Sequence, residues 1–173
     1  MNFDTSHSEP RAHSEHPGHG DSRNTRRESR ELALRVLFQI DLGKQPVTEV
    51  LEAALAQSQL EGANRTYTEE LVRGTLSHLP ELDGRLSALT TEWASDRQAA
   101  VDRNLLRLAA FELLYRPDAP VAAVVNEAVE LAKKYSTAES GRFVNGVLGA
   151  LARQPRGTGQ HEETSGGRED ADI

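Results

Sequence analysis

From Pro120 to Leu151 the chain reads PVAAVVNEAVELAKKYSTAESGRFVNGVLGAL, and this stretch constrains the fold more than any other. Val121, Val124, Val125, Ala128, Ala132 and Tyr135 recur at spacings of three and four, which places them on one apolar stripe, while Asn126, Glu130 and Lys133 share another face. An amphipathic helix follows. Pro120 suits its first turn, where an amide hydrogen has no partner to lose. Glu127 and Glu130 lie nearer the positive end of the helix dipole, Lys133 and Lys134 nearer the negative end. Ser136 and Glu139 have capping-box spacing, so a second helix should start there and bury Phe143, Val144, Val147, Leu148 and Leu151.

Glycine costs about 1 kcal/mol relative to alanine in a helix interior, so Gly141, Gly146 and Gly149 ask for a reason. Gly146 and Gly149 share a face, which suggests close approach of another backbone. Asn126 and Asn145 are weak helix formers at mid-helix positions, and a buried amide there must find hydrogen-bond partners, most simply between the two helices.

Upstream, the same period repeats. Thr25 with Glu28 forms a capping box ahead of a helix whose Leu32, Ala33, Leu34, Val36, Leu37, Phe38, Ile40 and Leu42 wrap most of the circumference. Gly43 and Pro46 end it, Thr48 caps a second helix closed by Gly62, and Thr66 with Glu69 opens a third that stops at Pro80. A fourth uses Leu82, Leu86 and Leu89, and Trp93 anchors the connection that follows. DRNLLRLAAFELLY, with Leu105, Leu106, Leu108, Ala109, Phe111, Leu113, Leu114 and Tyr115, is the densest apolar run and should be central. About seven helices result with no alternating strand pattern, so the class is all-α.

Residues 1–22 are rich in Ser, His, Pro and Gly, and 154–173 in Gly and acidic residues; both are expected to be disordered tails around a helical unit spanning 23–153. His13, His16 and His19 recur every third residue but lack the surrounding groups that orient metal ligands, so no metal is expected there. The absence of cysteine removes disulfides and thiol chemistry. With no apolar run of membrane-spanning length and no basic, apolar N-terminal leader, a cytoplasmic setting is expected.

The net charge of −7 argues mildly against nucleic acid, but its distribution does not. The C-terminal tail holds Glu162, Glu163, Glu169, Asp170 and Asp172 against two arginines, whereas Arg23, Arg26, Arg27 and Arg30 crowd the start of the first helix. Cations are disfavoured at a helix N-terminus by about 0.3–1 kcal/mol each, which hints at a purpose other than helix stability. The alternative is a solvated cluster paired with Glu28 and Glu31. No phosphate-cradling glycine loop, nucleophile elbow or zinc-ligand spacing occurs, and Glu112 has no partner base; a satisfied core or interface carboxylate is the expectation there, and no catalysis or cofactor is expected. Glu69, Glu70, Glu81 and Asp83 form an acidic surface on the third and fourth helices.

Asn126-Glu127-Ala128-Val129-Glu130-Leu131-Ala132-Lys133 followed by Phe143-Val144-Asn145-Gly146-Val147-Leu148 resembles the two hallmark helices of the NusB family of transcription antitermination factors. Arg30-Glu31, Ala33 and Leu37-Phe38 are similar to the family's opening helix, and Arg103 to Glu112 to its central one. The resemblance covers Arg26 to about Arg153. It implies two small bundles sharing a long N-terminal helix, with the arginine-rich turn beside the last two helices. Arg26, Arg27, Arg30, Lys133, Lys134, Ser140, Arg142 and Phe143 would then line an RNA path, Phe143 as a stacking face unless its apolar spacing makes it core. Asn126, Glu127, Asn145 and Gly146 would be structural. The implied partners are boxA RNA of nascent ribosomal transcripts, the basic small-subunit ribosomal protein NusE docking on the acidic surface, and, indirectly, elongating polymerase. The same domain type fronts ribosomal RNA cytosine methyltransferases, and a homodimeric helical interaction module is a third reading.

Overall fold

The computed structural model describes residues 21–91, 93 and 98–155. Among them are seven helices and no strand: α1 Asp21–Gly43, α2 Val47–Gln57, α3 Gly62–Ser77, α4 Leu79–Ser87, α5 Ala100–Tyr115, α6 Val121–Tyr135 and α7 Ala138–Ala152. All but residues 21, 22, 154 and 155 of the two expected tails, including the three histidines, lie outside the described residues, as do Ser95 and Asp96. No helix among the described residues is long and apolar enough to cross a membrane.

Helix α5 is apolar around its circumference, with Leu105, Leu106, Leu108, Ala109, Ala110, Phe111, Leu113 and Leu114 all buried. A helix of that kind needs neighbours on every side. It packs on α1, α3, α4, α6 and α7, while α1 packs on α2, α3 and α5 and α6 pairs closely with α7. The two halves of the molecule therefore meet along the α1–α5 seam, and α1 and α6 face each other without close backbone packing.

Several helix ends fall elsewhere than the cap spacing predicts. Helix α1 starts at Asp21, so Thr25 is interior and its carbonyl accepts from Ser29 Oγ at 3.0 Å. Its exit is turned by Lys44 at φ 53° rather than by Gly43. Pro46 caps α2 in place of Thr48, and Gly62, at φ 51°, opens α3 instead of closing α2. That left-handed conformation carries no Cβ clash for glycine. Thr66 lies inside α3 and Pro80 in the first turn of α4, where it is tolerated. Thr137, not Ser136, caps α7, accepting from the Ser140 amide at 3.0 Å.

Gly74 of α3 faces the Phe111 side chain of α5 at close range. A Cβ there would lie 2.0 Å from Phe111 Cζ, and the Phe111 ring is held by Tyr115, 5.4 Å away, and His78, 5.7 Å away. Gly146 is the opposite case, since a Cβ would meet nothing within 4 Å. Among the described residues, the backbone neighbour expected at Gly146 is absent. Gly74→Ala should therefore cost about 1–3 kcal/mol by overpacking, while Gly146→Ala should stabilise by up to about 1 kcal/mol, both read from urea denaturation.

Candidate nucleic-acid interface

The expected RNA path divides into groups that reach the surface and groups that do not. Arg30 is 8% exposed and Glu112 is 1% exposed. Arg30 forks onto the Glu112 carboxylate with Nε–Oε2 at 2.9 Å and NH2–Oε1 at 2.6 Å, and the Tyr67 hydroxyl donates to the same carboxylate. Burial would lower the Arg30 pKa, but the Glu112 hydrogen bonds and charge outweigh it and raise it. Burial, then the charge of Glu112, pushes the Tyr67 phenol far up. Arg30 is thus a core tie between α1 and α5, its Nε and one terminal nitrogen taken up by Glu112. Glu112 is the satisfied core carboxylate its sequence setting suggests.

Ser140 is also turned inward. Its hydroxyl donates to Asp102 Oδ2 at 2.8 Å and sits 2.8 Å from Ser136 Oγ and 3.1 Å from Thr137 Oγ1, which locks the start of α7 to the start of α5. Phe143 is half-buried and packed against the core. Asn126 and Asn145 point the other way: both residues are exposed, so their amides do not bridge α6 and α7 as expected.

Arg26, Arg27, Lys133, Lys134 and Arg142 remain. Four of the five are engaged. The Arg26 guanidinium lies 3.9 Å over the Tyr67 ring, with Arg116 4.9 Å from the same ring. Arg27 forks onto Glu127 at 2.8 and 3.2 Å, Lys134 Nζ reaches Glu31 at 2.6 Å, and Lys133 Nζ reaches Glu130 at 3.3 Å. Among the described residues Arg142 makes no ion pair. The Tyr135 hydroxyl also donates to Glu31. Partial burial pushes the Glu31 carboxyl up, but the hydrogen bonds from Lys134 and Tyr135 outweigh it and hold it below its ordinary range. The two cross-helix pairs bring α6 and the start of α1 onto one surface, which is the α6 part of the juxtaposition implied by the resemblance. What the sequence pattern missed is its charge balance. The carboxylate partners of Arg27 and Lys134 lie about a hundred positions away, where no local spacing announces them, whereas Lys133 finds Glu130 three residues back on its own helix.

The acidic surface is similarly neutralised. Asp83 is held by an Arg107 fork at 2.7 and 2.8 Å, Glu81 by the Tyr115 hydroxyl and by Arg85 at 3.4 Å, and Glu70 by Arg116. Glu69 is the loosest, 3.6 Å from Arg65. Glu69 and Glu70 rim a shallow depression of about 450 Å³ that also involves Arg73, Gly74, Phe111 and Arg116. Among the described residues, no three potential ligands converge on a metal position.

A family model described as the NusB family matches residues 27–153. The chain is 44% identical over 132 residues to the transcription antitermination protein NusB of Heliobacterium modesticaldum, covering 76% of this chain and 64% of that one. It is 45% identical over 126 residues to the corresponding protein of Desulforamulus reducens, covering 73% and 88%. It is also similar to the solved structure of T. maritima NusB, with TM-score 0.71, 33% identity and coverage of 76% and 93%. A crystal structure of antitermination factors NusB and NusE in complex with dsRNA is similar at TM-score 0.68 and 29% identity, covering 75% and 96%.

Arg30→Met should cost about 3–5 kcal/mol in urea denaturation, because it strands a buried carboxylate. A surface contact would lose no more than about 0.5 kcal/mol. Glu31 has a folded pKa below its ordinary 4.5, so its pairing stabilises at neutral pH and that contribution disappears as pH falls below 4.5 through the folded value. The stability gap between wild type and Glu31→Gln should accordingly be present at neutral pH and close on acidification, as followed by thermal melts across pH.

Proposed function

The chain belongs to the NusB family, and from that premise we propose that it is a transcription antitermination factor. In this reading the helical unit, residues 23–153, binds boxA-type single-stranded RNA in nascent ribosomal transcripts in the cytoplasm, together with the small-subunit ribosomal protein NusE. Its work is assembly, not catalysis. The observation that carries the reading is the pair of cross-helix ties, Arg27–Glu127 and Lys134–Glu31, that bring cations of α1 and α6 onto one surface. The similar solved complex of antitermination factors NusB and NusE with dsRNA supports the choice of RNA and NusE as partners.

Three outward cations hold their neighbours' carboxylates, Arg26 stacks on the Tyr67 ring and, among the described residues, Arg142 makes no ion pair, so affinity for RNA alone is weak. A second protein bound to the same transcript raises the local concentration of each contact, and the assembly tightens without new chemistry. For that protein, the depression beside Glu69 and Glu70 is the proposed dock. Its apolar floor at Phe111 and a rim that alternates Glu69 and Glu70 with Arg73 and Arg116 suit a partner surface that presents an apolar side chain flanked by charges of both signs.

Filter binding of a boxA-like RNA should show a modest affinity that rises when NusE is added. Arg142→Ala should weaken it and reduce the slope of log affinity against log salt by roughly 0.7, the value of one single-strand phosphate contact. Equal binding of boxA-like and scrambled RNA, with and without NusE, would rule the reading out.

A further inference from the structure

The two cation–carboxylate pairs joining α1 to α6 share a pattern. In each, the cation is the outer member and the carboxylate the inner one: side-chain exposure is 52% for Arg27 against 19% for Glu127, and 58% for Lys134 against 20% for Glu31. The pairs are reciprocal, α1 supplying a cation at position 27 and a carboxylate at 31, α6 a carboxylate at 127 and a cation at 134. Both carboxylates are fixed in place. Glu31 accepts from Tyr135 as well as Lys134, and Glu127 is gripped by two nitrogens of one guanidinium. Lys133 with Glu130 repeats the balance nearby.

Resting on the RNA-binding reading above, we propose that Glu31 and Glu127 are selectivity residues. They occupy the two outer cations so that phosphate charge alone does not hold a transcript on this surface. Non-specific affinity comes mainly from counterions that leave the RNA when protein cations take their place. At Arg27 and Lys134 that gain is cancelled, because each phosphate that captures the cation leaves behind a partly buried carboxylate, which must either stay unpaired or recruit an ion from solution. The exchange is close to neutral in charge. An RNA gains only by what it adds beyond its backbone, through base contacts or a protein partner, and the discrimination between right and wrong RNA is larger than an unpaired arginine patch would give.

The test uses the full chain, a uridylate homopolymer as non-cognate strand, and a boxA-like RNA. Glu127→Gln and Glu31→Gln should each raise homopolymer affinity by roughly three- to tenfold and steepen its salt dependence by roughly 0.7, the increment for one freed cation on a single strand. Glu52→Gln, the same charge change on the exposed face of α2, should stay within about twofold, which separates the pair from net charge. Arg27→Ala should erase the gain of Glu127→Gln when the two are combined, since the effect runs through that one guanidinium. Weaker homopolymer binding by Glu127→Gln, a gain no larger than that of Glu52→Gln, a gain that survives Arg27→Ala, or no homopolymer binding by any variant at low salt would each overturn the proposal. Failure of wild type to prefer the boxA-like RNA would instead overturn the functional reading, while the homopolymer comparison still decides what the two carboxylates do.

Discussion

One buried carboxylate organises the molecule. Glu112, in the middle of the most apolar helix, is held by Arg30 from α1 and Tyr67 from α3, so three helices are tied at a point where none could leave its group unsatisfied. Such a pair adds little net stability over well-packed apolar side chains, because desolvation consumes most of the attraction. What it supplies is register. A slip of α1 by one residue would strand an ion among leucines, and the α1–α5 seam, on which both halves of the molecule rest, would lose its alignment. The same seam sets where the outer arginines emerge. Arg26 and Arg27 sit one turn before Arg30, so fixing Arg30 fixes the direction from which they approach Tyr67 and α6.

Around that tie the charges are arranged in pairs and not in fields. Arg103 and Asn104 hold Asp41, at 2.5 and 2.9 Å, on the face where α1 meets α5, and Arg107 holds Asp83 where α4 meets α5. Partial burial pushes the Asp41 carboxyl up, yet the Arg103 and Asn104 hydrogen bonds leave it below its ordinary range. The surface proposed for RNA follows the same habit. For a protein with a net charge of −7 this matters, since long-range attraction to a polyanion is absent and recognition falls to close contacts.

Helix number, the central place of α5 and the pairing of α6 with α7 were legible because apolar period is a local property of the chain. Cap residues were less so. Thr25, Thr48 and Thr66 carry capping chemistry that the fold does not use, because neighbouring positions already have extended backbone, as Pro46 does, or because the helix continues past them. The family resemblance suggested where an RNA interface would lie, yet it could not sort its members. Arg26, Arg27 and Arg30 are equivalent in sequence, and only burial against α3 and α5 makes the first a ring-stacking group, the second a surface cation and the third a core tie. Asn126, Asn145 and Gly146 looked like interior packing residues because each is a poor helix former. All three are exposed, and no packing among the described residues accounts for them.

The chain has one tryptophan, Trp93, which packs against the core with the Arg107 guanidinium 5.7 Å from its ring, beside the Arg107–Asp83 fork. Its emission is consequently a local optical gauge of the joint between α4 and α5. A titrant that alters only the opposite pairing of α1 with α6 would leave that glow unchanged, whereas one that loosens the α4 end would redden it.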